Sequence, residues 1–128
     1  MAEIVFHIAA RTDWQPGTPY TPAMFNREGF VHCSRAVQLQ KVARERYAGR
    51  SDLVLLCIDT GRLDVPLRYE NTEGGTELFP HVYGAINTGA VTAHDILAVD
   101  DGGNLLPGAD VSAVLEQELN NKQNRQPG

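Results

Sequence analysis

The sequence predicts a small, single α+β domain with a split β-sheet core, mixed or antiparallel, and two or three helices. Three observations support this prediction. The 128 residues are enough for one domain. Several short apolar runs are rich in strand-forming residues, and most of the helical segments stand apart from them instead of alternating with them. The first apolar run is followed by no glycine-rich turn, which argues against a Rossmann dinucleotide fold.

Two strands are predicted before the first long helix. Residues 4–9 form an apolar run of strand-forming residues, and residues 29–33 form a second one. Between them, residues 12–22 contain three prolines and a glycine. This composition predicts a loop with one helical turn near Trp14, and the loop is a candidate cover for a binding site.

A helix and a buried central strand follow. Ser34 is the predicted N-cap of a helix whose apolar residues recur at helical spacing up to Tyr47, and Gly49 ends the pattern. Residues 53–58 are continuously apolar. Such a run is typical of a strand that is buried on both faces.

The second half of the chain is predicted to hold further strands or strand edges at residues 67–70, 82–86, 90–92 and 96–99. The stretch around residues 92–95 is expected to be less structured. Apolar spacing over residues 111–119 predicts a helix. We therefore place the domain at residues 1–119 and expect a polar, disordered tail at residues 120–128.

Charge and composition exclude several classes of function. Eleven basic and sixteen acidic residues give a net charge of −5, which argues against general nucleic-acid binding and against a membrane-surface protein. No apolar run reaches the ~20 residues of a membrane helix. The N-terminus does not resemble a signal peptide, and Cys33 and Cys57 have no metal-binding spacing. We therefore expect a reduced, cytoplasmic protein.

One segment departs from the acidic balance. Between residues 35 and 50 a single acidic residue, Glu45, faces five basic ones: Arg35, Lys41, Arg44, Arg46 and Arg50. A local basic segment can focus an anionic ligand. The alternative is that these side chains form the solvated face of a helix.

Three histidines interrupt or flank apolar strand runs. His7 lies inside the first predicted strand, His32 lies near the end of the second, and His81 opens the run at residues 82–84. An imidazole in such a position either faces a cleft or is a buried residue with its hydrogen bonds satisfied. We expect the three rings to converge on one concave surface with Ser34 at its rim.

Other polar and aromatic residues are candidates for the same site. Ser34 and Arg35 begin the predicted helix, where unpaired N–H groups attract anions, although Ser34 can equally act as a simple cap. Glu70 can accept a sugar hydroxyl or stabilise an oxocarbenium ion, or it can pair with an arginine. Phe79 and Tyr83 flank His81 and could stack on a planar ligand ring.

The chain resembles a bacterial family known as domain of unknown function 952. The resemblance runs from about residue 3 to residue 99. It rests on specific blocks, which are Glu-Gly-Phe-Val-His-Cys-Ser at residues 28–34 and Phe-Pro-His-Val-Tyr-Gly at residues 79–84. The pair Phe6-His7, the strand at 53–59 and Arg68-Tyr69-Glu70 extend it. This family implies no reaction.

The same residues are more distantly similar to the ADP-ribosyltransferase-like superfamily, which includes the RNA 2′-phosphotransferases. Phe6-His7 is similar to its aromatic-histidine pair, and the segment from Gly29 to Ser34 is similar to its second strand and following serine. The resemblance implies that His7 binds the nicotinamide ribose, that His32 stands where a tyrosine often lies, and that Glu70 or His81 takes the third position. It also implies NAD as a substrate.

Three hypotheses for function remain open from the sequence. The first is an ADP-ribosyltransferase-like enzyme that acts on NAD or on an ADP-ribosyl or phosphorylated substrate, with His7, His32, Glu70 and His81 as catalytic residues and Ser34, Arg35, Phe79 and Tyr83 as ligand-binding residues. The second is a non-catalytic module that recognises a nucleotide or a modified macromolecule in the same cleft. The third is a metal site of His7, His32 and His81, which lack the local spacing of common zinc sites. Our sequence assignment therefore includes no metal ligand.

Overall fold

A four-stranded sheet lies between a helical layer and a smaller three-stranded sheet in the computed structural model, which describes residues 2–125. The larger sheet contains, in spatial order, β1 (Ile4–Ala10), β3 (Leu53–Asp59), β6 (Val91–Val99) and β7 (Leu105–Pro107). The smaller sheet contains β2 (Val31–His32), β5 (Phe79–Val82) and β4 (Leu67–Glu70). The helices are α1 (Phe25–Glu28), α2 (Ala36–Arg46) and α3 (Ala109–Arg125), with 3₁₀ turns at Thr60–Arg62 and Thr88–Ala90. The predicted α+β class is confirmed, and the pairings between these strands are antiparallel.

Strand β3 is the centre of the protein, as its apolar sequence predicts. Leu55 and its alternate neighbours pack on the face covered by α2 and α3. Leu56 and its alternate neighbours pack on the opposite face, against residues of the smaller sheet. Both side chains are fully buried. Because successive strand residues point to opposite faces, a strand with covered faces on both sides needs apolar residues at every position.

The two sheets are joined where the chain leaves β2. Ser34 pairs with Phe6 of β1 through two backbone hydrogen bonds of 2.8 Å. In the smaller sheet, His32 of β2 lies directly opposite His81 of β5. The segment from His32 to Ser34 therefore belongs to both sheets in turn, which brings His32 close to His7 of β1.

The start of α2 differs from the sequence prediction. Ser34 is not the N-cap, because its backbone is engaged with β1 and the cap residue is Arg35. The backbone N–H of Arg35 donates to Oε1 of Gln38 at 2.9 Å. The Arg35 guanidinium bonds Glu3 at 3.1 Å. At this helix start the backbone N–H of Arg35 and its Nε therefore already have protein partners.

Several boundaries in the second half also differ. The run expected at 82–86 is the end of β5, which starts earlier at Phe79 and stops at Val82. The stretch at 92–95 was expected to be less structured but lies within β6, a nine-residue strand that also absorbs the strands expected at 90–92 and 96–99. The short elements α1 and β7 were not predicted. No helical turn forms around Trp14.

The C-terminal helix is longer than predicted. It starts at Ala109 and continues past Leu119 to Arg125, so residues 120–125 are helical, while the rest of the expected tail, 126–128, lies outside the described residues. Among the described residues, no helix is long and apolar enough to cross a membrane. Cys33 and Cys57 are both free and buried.

The central position of β3 gives a stability prediction. Replacing Leu56 with alanine leaves a cavity between the sheets and should lower the free energy of unfolding by about 2–5 kcal/mol. Chemical denaturation measured by circular dichroism checks this value. Ile96→Ala is the matched control, since Ile96 is 62% exposed, and it should change stability by no more than about 0.5 kcal/mol. Equal effects of both substitutions would contradict the layered core.

Candidate functional site

A cavity of about 270 Å³ lies where the two sheets meet the C-terminal half of α2. Its wall contains His7, His32 and Ser34. These are three of the residues singled out in the sequence, and they come from β1, β2 and the segment that joins the two sheets. We call this space the histidine cavity.

Charged residues complete the lining of the histidine cavity. Arg46 and Arg50 contribute guanidinium groups, and Asp13 and Glu28 contribute carboxylates. Each guanidinium also bonds an exposed carboxylate outside the lining, Glu73 for Arg46 and Asp52 for Arg50. Because a guanidinium has five N–H donors, both arginines keep donors for an anionic ligand.

His7 connects three parts of the fold. Its Nδ1 lies 2.7 Å from the carbonyl oxygen of His32, and its Nε2 lies 2.9 Å from the hydroxyl of Tyr20. A carbonyl only accepts, so Nδ1 carries the proton and Nε2 accepts from the hydroxyl. Tyr20 is itself fixed by two backbone hydrogen bonds to Ile86. His7 therefore ties β1 to β2 and to the proline-rich loop, and both of its ring nitrogens have protein partners.

A second chain of hydrogen bonds runs through His32 and His81 to Glu70. Nδ1 of His32 lies 3.2 Å from Nε2 of His81, and Nδ1 of His81 lies 3.0 Å from Oε2 of Glu70. The hydroxyl of Tyr83 donates to the same carboxylate oxygen. The ring of Phe30 stacks on His81 with centroids 4.0 Å apart. These contacts hold His81 between a carboxylate and a second imidazole.

The carboxylate of Glu70 determines which ring nitrogen is protonated in His81 and in His32. The carboxylate of Glu70 accepts, so Nδ1 of His81 is protonated and its Nε2 is bare when the ring is neutral. That bare nitrogen accepts from Nδ1 of His32, which leaves Nε2 of His32 without a proton. Nε2 of His32 is buried and has no hydrogen-bond partner. A buried polar atom without a partner is rare and marks a place where a ligand group can bind.

Burial controls the charge of the two cavity histidines. Desolvation lowers the pKa of His7 to about 4, although its bond to the His32 carbonyl opposes this shift. Desolvation also lowers the pKa of His32 to about 4, and the positive charge of Arg46 adds to the effect. Both rings are neutral at pH 7. Glu70 has a pKa below its usual value because the hydroxyl of Tyr83 and the ring of His81 donate to it.

A second cavity lies on the other side of His32. It has a volume of about 430 Å³ and is lined by α2, by the loop between β4 and β5, and by Phe79. The two cavities share His32, Val42 and Arg46. Two ion pairs, Lys41–Glu77 and Arg46–Glu73, hold the loop against α2. His32, Val42 and Arg46 therefore lie between two adjacent spaces.

The structure brings some of the predicted site residues together and separates others. His7, His32 and Ser34 share one cavity, and Phe79 lines the second. The others are not among the lining residues of the histidine cavity: Arg35, Glu70, His81 and Tyr83. His81 and Glu70 lie behind His32 and reach it through hydrogen bonds, whereas Arg35 pairs with Glu3. It is the C-terminal half of α2 that contributes to the histidine cavity, so the helix start does not point into it.

Sequence reasoning missed the individual roles of four lining residues: Asp13, Glu28, Arg46 and Arg50. Arg46 and Arg50 belong to the basic segment that was noted in the sequence. Nothing in the sequence of that segment distinguishes them from Arg44, because which arginine lines the cavity depends on which side of α2 faces it. In residues 2–125, no group of three or more histidine, cysteine or acidic side chains could hold a metal ion.

Comparison with known proteins identifies the family. The family model described as protein of unknown function (DUF952) matches residues 7–94, which is most of the chain, so the chain belongs to this family. The matched region contains the residues from His7 to His81 that form the hydrogen-bonded network. No curated protein matches the chain.

Solved structures share this fold. The crystal structure of protein CC0527 from Caulobacter crescentus is 27% identical, with a TM-score of 0.71, and the match covers 88% of this chain and 98% of that one. A double mutant of the same protein gives the same values. Its solution NMR structure is 28% identical, with a TM-score of 0.63, over 79% of this chain and 90% of that one.

The two bonds of His7 predict a structural effect of its removal. His7→Ala leaves the His32 carbonyl and the Tyr20 hydroxyl unpaired, and it should lower the free energy of unfolding by about 2–4 kcal/mol. Denaturant unfolding measures the change. His94→Ala removes an exposed histidine whose ring contacts that of Trp14, at 5.2 Å between centroids, and it should cost no more than about 1 kcal/mol. A His7→Ala protein as stable as the parent would show that the two hydrogen bonds of His7 contribute nothing to stability.

The lowered pKa values of His7 and His32 predict acid sensitivity. In the unfolded chain both rings titrate near pH 6.5, and in the folded protein near pH 4, so the unfolded state binds more protons in between. The contribution of the two neutral histidines to the free energy of unfolding is complete above pH 6.5 and is lost as the pH falls towards 4. Most carboxylates remain ionised down to about pH 5, so unfolding free energies measured between pH 7 and 5 isolate the histidines. An unchanged stability across that interval would contradict the account.

Proposed function

We propose that this protein is an ADP-ribosyltransferase-like enzyme that binds NAD, or an ADP-ribosyl or phosphorylated substrate, in the histidine cavity. One observation carries the proposal. The residues of β1 and β2 that resemble the superfamily, His7 and His32, line the same cavity as Ser34 and two guanidinium groups. A nucleotide of this type needs hydrogen-bonding groups for a ribose and positive charge for a diphosphate. Both ring nitrogens of His7 are already bonded within the protein, so His7 forms part of the wall, and the ribose would bond His32 or Ser34 rather than His7 as the resemblance implied.

The charge distribution supports an anionic ligand. Arg46 and Arg50 lie on the α2 side of the cavity wall. Guanidinium groups bind phosphate oxygens through paired, charge-assisted hydrogen bonds. The protein as a whole is acidic, with a net charge of −5. The lining also contains the carboxylates of Asp13 and Glu28, so the positive charge is local to the wall formed by Arg46 and Arg50, and an anionic group would bind there.

The size of the site supports a two-part ligand. The histidine cavity, at about 270 Å³, is at the small end of ligand pockets, which run from roughly 300 to 1,000 Å³. The adjacent cavity adds about 430 Å³ and shares Arg46 with the first. We infer that a dinucleotide uses both spaces, with its diphosphate near Arg46.

The proposed chemistry breaks the bond between the ribose and its leaving group. Positive charge develops on the sugar, and a preorganised polar environment lowers the energy of that state. Asp13 and Glu28 are the carboxylates in the lining of the histidine cavity. They therefore replace Glu70 as candidates for stabilising the sugar, because Glu70 does not line this cavity.

The alternative is a non-catalytic nucleotide-binding module with the same cavity. One observation favours it. The Oε2 atom of Glu70, the carboxylate expected to act on the ribose, accepts from both His81 and Tyr83. A carboxylate held in this way faces protein donors rather than a substrate in the histidine cavity. The two functions differ in whether the bound ligand is consumed.

Titration with defined ligands tests the proposal. NAD, ADP-ribose and a phosphorylated RNA end are added separately to ¹⁵N-labelled protein, and product formation is followed in the same samples. NAD or ADP-ribose should shift the backbone amides of Ile8, Ser34 and Arg46. Consumption of NAD supports the enzyme, and binding without consumption of any ligand supports the module. Shifts confined to α3 would overturn both.

A charge substitution tests where the phosphates bind. Arg46→Gln removes a charged donor and should weaken ADP-ribose binding at least roughly tenfold, because a hydrogen bond to a charged group contributes about 1.5–3 kcal/mol. Isothermal titration calorimetry measures the dissociation constant. Arg62→Gln is the control, since Arg62 is exposed and does not line the histidine cavity. Equal affinities of the two variants would show that the diphosphate does not contact Arg46.

A further inference from the structure

We propose that Glu70 and His81 are positioning residues that form a proton relay with His32, and that Nε2 of His32 accepts the proton of the attacking hydroxyl in the transfer reaction. The second half of this statement rests on the proposed function. The first half rests on the geometry alone. The relay would explain why His81 and Glu70 belong to the site although they do not line the histidine cavity.

The direction of the relay follows from its anionic end. Only the acceptor oxygen of Glu70 faces Nδ1 of His81, at 3.0 Å, so the carboxylate holds the Nδ1 proton in place. His81 then offers a bare Nε2 to Nδ1 of His32 at 3.2 Å. The bond to Glu70 fixes the tautomer of His81, and the bond to His81 in turn fixes the tautomer of His32. The Glu70 carboxylate, which is two hydrogen bonds away from His32, thereby determines which ring nitrogen of His32 carries no proton.

The free end of the relay lies beside the substrate spaces. Nδ1 and Nε2 diverge across an imidazole ring, so Nε2 of His32 points away from His81. His32 lines both the histidine cavity and the adjacent cavity. His32 therefore lies between the two spaces, and its buried Nε2 is the ring nitrogen left free to bond a group of a bound substrate. Nε2 of His32 has no partner within the protein.

The transfer step can be written with atoms and electrons balanced. The hydroxyl oxygen of the acceptor, which can be water, forms a bond to C1′ of the ribose of NAD. The bond between C1′ and the nicotinamide nitrogen breaks, and its electron pair leaves with neutral nicotinamide. The hydroxyl proton moves to Nε2 of His32, and the Nδ1 proton of His32 moves to Nε2 of His81.

The charges around the two rings favour this final location of the proton. A charged His32 would face the guanidinium of Arg46, and it also lies near His7, while Glu73 partly offsets them. A charged His81 would instead lie 3.0 Å from the carboxylate of Glu70. Arg68 lies over the ring of Tyr83 at the same end, at 5.1 Å, and weakens this advantage without removing the direct contact. Both rings are largely buried, so the gain comes from the neighbours: the positive charge moves from a ring that faces Arg46 to a ring in direct contact with the Glu70 carboxylate.

Imidazole ¹⁵N NMR tests the relay without any substrate. Long-range ¹H–¹⁵N correlations distinguish a protonated ring nitrogen from a bare one. In the parent protein at pH 7, His32 and His81 should both carry their proton on Nδ1. A proton on Nε2 of His32 in the parent protein overturns the proposal, whatever the variants do.

Two matched carboxylate substitutions separate a relay from a local ion pair. Glu70→Ala removes the acceptor that fixes His81, so the tautomer ratio of His32 should change roughly tenfold or more, although Glu70 and His32 share no direct bond. Glu73→Gln removes a charge close to His32 but outside the relay. It should leave the His32 tautomer unchanged. An unchanged His32 in folded Glu70→Ala, or an equal change in both variants, overturns the relay.

The relay and the proposed function can fail separately. If His32 shows the expected tautomer and response but NAD is never consumed, the relay stands and the enzyme does not. If NAD is consumed while His32 does not respond to Glu70→Ala, the enzyme stands and the relay is rejected. If both hold, nicotinamide release by Glu70→Ala should fall roughly 10- to 100-fold. Asp64→Asn, which changes an exposed carboxylate outside both cavities, should stay near the parent rate.

Discussion

Imidazole rings buried between two sheets need hydrogen-bond partners for their nitrogens, and this requirement links the smaller sheet of the protein to the larger one. His7 meets it by bonding the His32 carbonyl and the Tyr20 hydroxyl. His81 meets it by bonding His32 and Glu70. His32 alone among these rings retains a buried, unpartnered nitrogen. The same contacts that hold the sheets together therefore also leave one imidazole nitrogen without a protein partner.

The elements that were predicted well are those whose sequence reports burial directly. Strand β3 is continuously apolar from Leu53 to Ile58, and β1 is apolar apart from His7, because covered faces lie on both sides of the larger sheet. In strand β6 the exposed residues Thr92 and His94 alternate with half-buried ones, so the stretch at 92–95 did not look like a strand, although strands were expected on both sides of it. Strand β7 is three residues long and ends in Pro107, and its short pattern cannot be separated from a loop. Ser34 was misassigned as a cap because its pairing with Phe6 is a long-range contact.

The site was predictable where residue type and strand position were sufficient. An imidazole inside an apolar strand is unusual, and this signal was enough to bring His7 and His32 into one hypothesis. The link from His81 to Glu70 needs the register of β5 against β4, which local patterns do not determine. The choice of Arg46 from a basic segment likewise needs the packing of α2. The sequence therefore indicated the histidines and the basic segment, whereas the fold determined which of these residues contact one another.

The central claim is that the histidine cavity, and not the start of α2, is the place where a nucleotide binds. A crystal structure of the protein with ADP-ribose tests this claim most directly. The account predicts the diphosphate against Arg46 and a ribose against the wall formed by His7 and His32. Electron density for the diphosphate at the backbone of residues 35–38, with the histidine cavity empty, would contradict it.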